Sequence, residues 1–331
     1  MERTEQLSRW LELELGRRPF RLTSASNDAS FRRYFRVHAE GQAALIAMDA
    51  PPQHEDCRPF VHVAGLFAAA GVHVPKVLAR DLEHGFLLLS DLGDRTYLSV
   101  IEENNADRLY ADSLDSLLRI QKASRAGELP DYSRDLLLRE MMLFPDWYCS
   151  EKLGRNLTPG RRQTLEEGFA LLLENNLAQP RVFVHRDYHS RNLMVSDPNP
   201  GILDFQDAVY GPITYDLVSL LRDAYIEWPE ERIIDWCIRY WERARAERLP
   251  VATDFADFYR DFEWMGAQRQ LKVLGIFSRL WLRDGKEGYL RDQPLVMKYL
   301  RCTCERYREL MPIALLLEEL EQRDRKVGYT F

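Results

Sequence analysis

At 331 residues, 46% apolar and 29% charged, the chain is long enough to bury the cores of two domains or lobes. Its 45 basic and 52 acidic residues give a net charge of −7 with no basic tail, which argues against a nucleic-acid partner; the five scattered cysteines (Cys57, Cys149, Cys237, Cys302, Cys304) argue against a disulfide framework. Met1 to Glu5 leads into an amphipathic stretch rather than an apolar leader, and the longest nearly apolar run, Val63 to Val72, is too short to span a membrane, so a soluble cytoplasmic protein is expected.

Taken in order, residues 2–15 read as a helix stopped by Gly16 and Pro19. Strand-like runs follow at Phe20 to Ser24, Phe31 to Val37 and Ala43 to Met48. A helix from Glu55 to Ala70, closed by Gly71, separates them from two more strands, Val77 to Arg80 and Phe86 to Leu89. Asp91-Leu92-Gly93 then reads as a hinge. Beyond it, helical periodicity dominates: 104–125, 134–151 and 159–178, and later 213–226, 230–247, 255–283 and 294–322. The expected fold class is therefore α+β, with a small antiparallel β lobe carrying one main helix over residues 1–91 and a larger, mostly helical lobe over 92–331.

Between the two helical groups lies the most informative stretch. His185-Arg186-Asp187-Tyr188-His189-Ser190-Arg191-Asn192 and, twelve residues after Asn192, Asp204-Phe205-Gln206 form H-x-D-x(4)-N followed by D-F-x. Transfer of a γ-phosphoryl group needs a carboxylate to orient and deprotonate the acceptor hydroxyl, and oxygen ligands for the Mg2+ that neutralises the triphosphate. Asp187 suits the first role; Asn192 and Asp204 suit the second. Short strands at Val182 to Val184, Leu193 to Val195 and Gly201 to Leu203, with the turn Asp197-Pro198-Asn199-Pro200, would place Asn192 and Asp204 at the open end of a hairpin. A β-rich lobe hinged to a helical one also suits a nucleotide bound in a cleft. His185, Asp187 and His189 carry the ligand types of a metal-dependent hydrolase, but the other histidines lie far upstream and that reading leaves Asn192 and Asp204 without a role.

These motifs, together with Gly211-Pro212 and Tyr215-Asp216-Leu217, resemble the aminoglycoside-phosphotransferase-like small-molecule kinases, over nearly the whole chain. Ser26 to Tyr34, Met48 to Pro52 and Asp204 to Ala208 further resemble the branch of that family whose members phosphorylate the anomeric hydroxyl of N-acetylmuramate and N-acetylglucosamine in cell-wall recycling. The resemblance implies a two-lobed protein-kinase-like fold, ATP and Mg2+ as cofactors, and an amino-sugar acceptor giving a 1-phosphate. It makes Asp187 the catalytic base and Asn192 and Asp204 the metal ligands. Asp216 braces the catalytic loop, with His185 as a second brace. The backbone of Ser90, Asp91 and Leu92 is offered to the adenine edge. The alternatives are a kinase of another hydroxyl, of aminoglycoside, choline or homoserine type, and a catalytically silent nucleotide-binding module. Nothing in the sequence specifies an oligomer, and a monomer fits.

Two departures from the protein-kinase pattern stand out. The phosphate-covering turn, Ser24 to Ser30, has no glycine, so Ser26, Asn27 and Ser30 are the expected phosphate contacts. The third strand carries Met48 where a lysine would meet the α/β-phosphates, and Arg33, in phase with Phe31 and Phe35, is expected to replace it, with Arg32 as the second choice and Glu55 as the nearest partner glutamate.

For the acceptor, the expected contacts are Asp187, Arg191, Asp223, Tyr225, Glu227, Trp228 and Trp264, with Arg269 and Lys272 meeting a carboxylate. Arg269, Lys272, Arg279 and Arg283 share one narrow helical sector, and a solvated face is the competing reading of that stripe.

Overall fold

The computed structural model describes residues 3–26 and 31–321. The chain divides into two compact units, Met1–Ile120 with Arg191–Ala208, and Gln121–Ser190 with Val209–Phe331. The first unit extends past the hinge at Asp91 and takes in the hairpin after the catalytic loop, so this division differs from the lobe boundary expected at 91.

In the first unit, α1 (Arg3–Glu14) precedes a five-stranded antiparallel sheet of β1 (Phe20–Ser26), β2 (Arg33–Ala39), β3 (Leu45–Asp49), β4 (Val77–Asp81) and β5 (Phe86–Ser90), in the order β1-β2-β3-β5-β4. Strand alternation sorts the side chains. Val37, Ala47, Phe86 and Leu88 share one core with Leu7 and Leu11 of α1. Tyr34, Arg36, Ile46, Met48 and Leu89 alternate with them and take the opposite face; the register pairs Tyr34 with Met48 and Arg36 with Ile46. On α2 (Arg58–Ala69), Phe60, Val63, Ala64 and Phe67 are buried at helical spacing, and the rings of Phe60 and Phe67 lie 4.8 and 5.9 Å from that of Phe205. Gly71, at φ +79°, ends the turn after α2, a left-handed conformation that a glycine adopts without penalty.

α3 (Tyr97–Val100) follows, with Thr96 as its N-cap, and α4 (Ala106–Lys122) runs to the unit boundary. The hairpin of β7 (Leu193–Met194) and β8 (Gly201–Ile202) belongs to this unit because its backbone is tied in on both sides: Ile202 N–H donates to His73 O (2.8 Å) and Val195 N–H to Arg95 O (2.8 Å). A Cβ on Gly201 would come within 2.9 Å of both Leu92 Cδ1 and Ser196 Oγ, so any side chain there would make both of these give way.

The second unit contains α5 (Arg134–Leu143), which continues into a π-helical stretch at Phe144–Lys152, then α6 (Pro159–Ala178), and the two-stranded sheet of β6 (Arg181–Val184) with β9 (Val209–Pro212). α7 (Tyr215–Leu221), α8 (Glu230–Ala246) and α9 (Phe255–Leu282) follow. Every residue of α9 from Phe262 to Gly275 is buried, so this helix forms the axis of the unit. The helix expected over 294–322 is instead α10 (Gln293–Arg306) and α11 (Met311–Glu321), broken at Tyr307, whose ψ of 123° is extended. Pro312, the second residue of α11, has no N–H to donate to the preceding turn, so one unbroken helical ladder cannot run through it. The helix expected at 213–226 stops at Leu221. No helix among the described residues is long and apolar enough to cross a membrane.

Candidate active site

The loop carrying Asp187 leaves β6 at Val184 and is pinned by Asp216, the second residue of α7. One carboxylate oxygen of Asp216 accepts the His185 N–H (2.6 Å) and the other the Arg186 N–H (3.0 Å). Asp216 is 1% exposed, and burial raises its carboxyl to about 6 against the pull of His185 and the two N–H donors. His185 is fully buried, and its Nδ1 accepts the Asp187 N–H (3.2 Å). Arg186 sits at φ +79°, a left-handed conformation uncommon for a long side chain and of the kind that persists when the surroundings hold it. Ser190 N–H donates to Asp223 (2.9 Å), pinning the far end of the loop.

Burial pushes the Asp187 carboxyl up, but the charges of Lys272, His189, Arg269 and Arg186 outweigh it and hold the group near 2. It is therefore ionised at neutral pH and suited to orient a hydroxyl and take its proton late. That matches a loose phosphoryl-transfer transition state, in which positioning counts for more than basicity. Behind it, Glu140 of α5 is a buried hub that sequence reasoning missed. It accepts from Arg186 and Tyr132, ion-pairs with Lys272 (Nζ to Oε1, 3.0 Å) and lies 3.4 Å from Gln268 Nε2. The only hint in the sequence was an acidic residue on the buried side of an otherwise apolar helical pattern.

Within the first unit, a cavity of about 430 Å3 is lined by Tyr34, Arg36, Ile46 and Leu89 from the sheet, by Ser90, Asp91 and Leu92, and by Asn192, Asp204 and Phe205. Asn192 Nδ2 and Asp204 Oδ2 are 3.5 Å apart, and the Leu203 N–H donates to Asn192 O (2.9 Å), continuing the hairpin ladder to this point. Asp204 is at φ +62°, and its side chain is 49% exposed. A half-turn of the Asn192 amide brings its oxygen to the same place. Two oxygen donors beside a cavity fit Mg2+, which keeps water and phosphate oxygens as its remaining ligands. Consistently, no group of three His, Cys, Asp or Glu side chains among the described residues could cage a metal, so the three-ligand hydrolase arrangement does not form.

Other expected contacts are redistributed. Arg33 lies on the opposite strand face from the cavity, bonded to the fully buried Asp49 and 5.6 Å from the Phe35 ring centre. Its phase with Phe35, read as facing the cleft, instead points it toward α1. Arg32, of opposite phase, pairs with Glu55 (2.9 Å) and lies 3.9 Å from Asp204 Oδ1. Asn27 and Ser30 of the expected phosphate turn, and the side chain of Ser26, lie outside the described residues. Arg191, expected at the acceptor, lines the cavity with Asp91 and Leu92.

Asp223, expected to grip a sugar hydroxyl, is 1% exposed and spends its oxygens on the N–H groups of Ser190 and Tyr225. Trp228 packs edge-on against Trp236 (5.5 Å) and Trp264 against Tyr307 (5.8 Å), both buried, so ordinary core packing accounts for them. Glu227 pairs with Lys298 on the surface. Tyr225 is half-buried and meets edge-on, at 5.5 Å, the ring of His189, two residues after Asp187. The basic stripe divides: Arg269 and Lys272 are 5% and 6% exposed, whereas Arg283 lies on the surface bonded to Asp284. The solvated face is absent at Arg269 and Lys272 because α9 is enclosed there on all sides.

The model of the phosphotransferase enzyme family matches residues 21–249. A protein of Pseudomonas aeruginosa named N-acetylmuramate/N-acetylglucosamine kinase is 52% identical over 304 residues, covering 92% of this chain and 90% of its own length. One of the same name from Neisseria meningitidis is 48% identical over 336 residues, with 100% of both chains covered. Among solved structures, the choline kinase LicA of Streptococcus pneumoniae superposes with a TM-score of 0.64 at 11% identity, covering 90% of this chain and 99% of its own. The ADP-bound aminoglycoside phosphotransferase APH(2'')-Ib does so with 0.55 at 15% identity, covering 89% and 97%. At such identities these two likenesses speak for the fold alone.

Proposed function

Because this chain belongs to the phosphotransferase enzyme family and is a sugar kinase, we propose that it transfers the γ-phosphoryl group of ATP to the anomeric C1 hydroxyl of N-acetylmuramate or N-acetylglucosamine in the cytoplasm, with Mg2+ as the accompanying ion. The nucleotide takes the cavity of the first unit, its adenine edge against the backbone of Ser90 to Leu92 and its apolar faces against Ile46, Leu89 and Phe60. Asn192 and Asp204 hold Mg2+, which when bound neutralises charge on the triphosphate oxygens. Arg32, braced by Glu55, supplies the cation that Met48 cannot. Asp187 orients the acceptor hydroxyl and accepts its proton, and Asp216 fixes the loop backbone that aims it.

The observation that carries this reading is the pinned loop: a carboxylate two residues after a buried histidine, on a backbone fixed by both oxygens of Asp216. The intact set of Asp187, Asn192 and Asp204 speaks against a silent module. A cationic aminoglycoside would meet Arg186, Arg269 and Lys272 beside Asp187, which speaks against that acceptor class. The test is ADP release against neutral, anionic and cationic acceptors, followed by phosphorus NMR of the product. A glycosyl 1-phosphate signal is expected. A 6-phosphate would overturn the choice of hydroxyl, and turnover of the cationic acceptors alone would overturn the choice of sugar.

A further inference from the structure

We propose that Arg269 is a specificity-determining residue that binds the lactyl carboxylate of N-acetylmuramate, the group that N-acetylglucosamine lacks. This rests on the amino-sugar kinase reading above and goes beyond it, since it says how one site takes both an anionic and a neutral sugar.

Three cations, Arg269 and Lys272 buried and Arg186 partly exposed, draw on few acceptors. Lys272 is committed: its Nζ lies 3.0 Å from Glu140 Oε1 and donates to the Tyr215 hydroxyl at 2.9 Å. Arg186 donates to the same Oε1 of Glu140 and sits 5.6 Å from the centre of the Tyr132 ring. Glu140 is thereby shared between two cations, a phenol and the Gln268 amide. Asp216 directs both oxygens to backbone N–H groups and has none to offer. Arg269 lies one turn before Lys272 on α9, is 5% exposed, and its Nε has no hydrogen-bond partner among the described residues. A guanidinium taken this far out of water with its Nε–H unsatisfied is unfavourable unless an acceptor completes it, and the planar fork of arginine matches a carboxylate.

Lys272, one turn along α9, reaches Arg186 of the catalytic loop through Glu140, which puts Arg269 beside that loop; the one carboxylate its charge acts on, Asp187, is shared with Lys272, His189 and Arg186, so a molecule that presents its hydroxyl to Asp187 can bring a second carboxylate to this guanidinium. On N-acetylmuramate the carboxylate and the C1 hydroxyl stand on the same ring, two carbons apart at their points of attachment. With N-acetylglucosamine, water takes the place of the carboxylate.

The experiment compares kcat/KM for N-acetylmuramate, its methyl ester and N-acetylglucosamine in the wild type, Arg269→Gln and Arg269→Lys. The wild type prefers the free acid over the ester, and Arg269→Gln lowers that preference about tenfold or more, mainly through KM, as expected for loss of a charge-assisted hydrogen bond. Arg269→Lys keeps the charge but not the fork and retains part of the preference; it decides the matter if the glutamine variant does not fold. An acid-to-ester ratio unchanged in either folded variant, or equal loss of kcat on all three sugars, overturns the proposal and leaves Arg269 as a partner of Asp187 only. A wild type that phosphorylates none of the three contradicts the functional reading instead.

Discussion

Replacing Asp216 by asparagine separates the cost of burying a charge from the benefit of aiming the catalytic loop. The carboxyl is raised from its ordinary 3.8 to about 6, chiefly by burial. Because the folded value lies above the unfolded one, the stability this group contributes is fully present below about pH 4 and is lost as pH rises through 6. At 1.36 kcal/mol for each pH unit of separation, the loss amounts to about 3 kcal/mol by pH 7. Asparagine has no charge to bury, so its stability lacks this pH dependence, but it can accept only one of the two N–H bonds from His185 and Arg186. The orphaned donor costs about 1–3 kcal/mol. The two effects nearly cancel at neutral pH, so Asp216→Asn folds about as stably as the wild type there and is the less stable protein near pH 4. Its kcat nevertheless falls, because the loop backbone that orients Asp187 has lost half its anchor. Urea unfolding of both proteins from pH 4 to 7, with kcat measured alongside, tests this. If the difference in unfolding free energy is flat across that range, Asp216 does not titrate as argued and the reasoning fails.

Glu140→Leu leaves Arg186 and Lys272 buried without their shared anion and should cost about 3–5 kcal/mol in denaturant unfolding; a loss below about 1 kcal/mol would mean that the hub is not the anchor of that cluster. Arg32→Ala should raise KM for ATP about tenfold, whereas Arg33→Ala, whose partner Asp49 lies on the other strand face, should lower stability and leave that KM near the wild-type value. The reverse pattern in steady-state kinetics and melting curves would restore Arg33 as the phosphate cation.

Local signals carried much of the architecture. Short strand-like runs bounded by turn residues marked all five strands of the sheet, and 3.6-residue periodicity marked the long helices. β9 escaped notice because Val209-Tyr210-Gly211-Pro212 is four residues long with a glycine and a proline, and only its pairing with β6 makes it a strand. The Arg33 error has a similar origin. Period-2 phase says which residues share a face but not which face meets the cavity, and that was decided by α1, whose Leu7 and Leu11 cover the Phe35 and Val37 side. Asp187, Asn192 and Asp204, the residues proposed for the chemistry, could be picked out by spacing because they lie in one contiguous loop and hairpin. Glu140 could not, because its role depends on partners at Tyr132, Arg186, Gln268 and Lys272, which only tertiary packing gathers.

The most direct measurement is ADP formation by purified wild type and Asp187→Asn with ATP, Mg2+ and N-acetylmuramate. The account predicts acceptor-dependent turnover in the wild type and a fall of about a thousandfold in the variant, with nucleotide binding retained. Turnover in Asp187→Asn within about tenfold of the wild type would contradict it, because Asp187 is the group proposed to take the acceptor's proton.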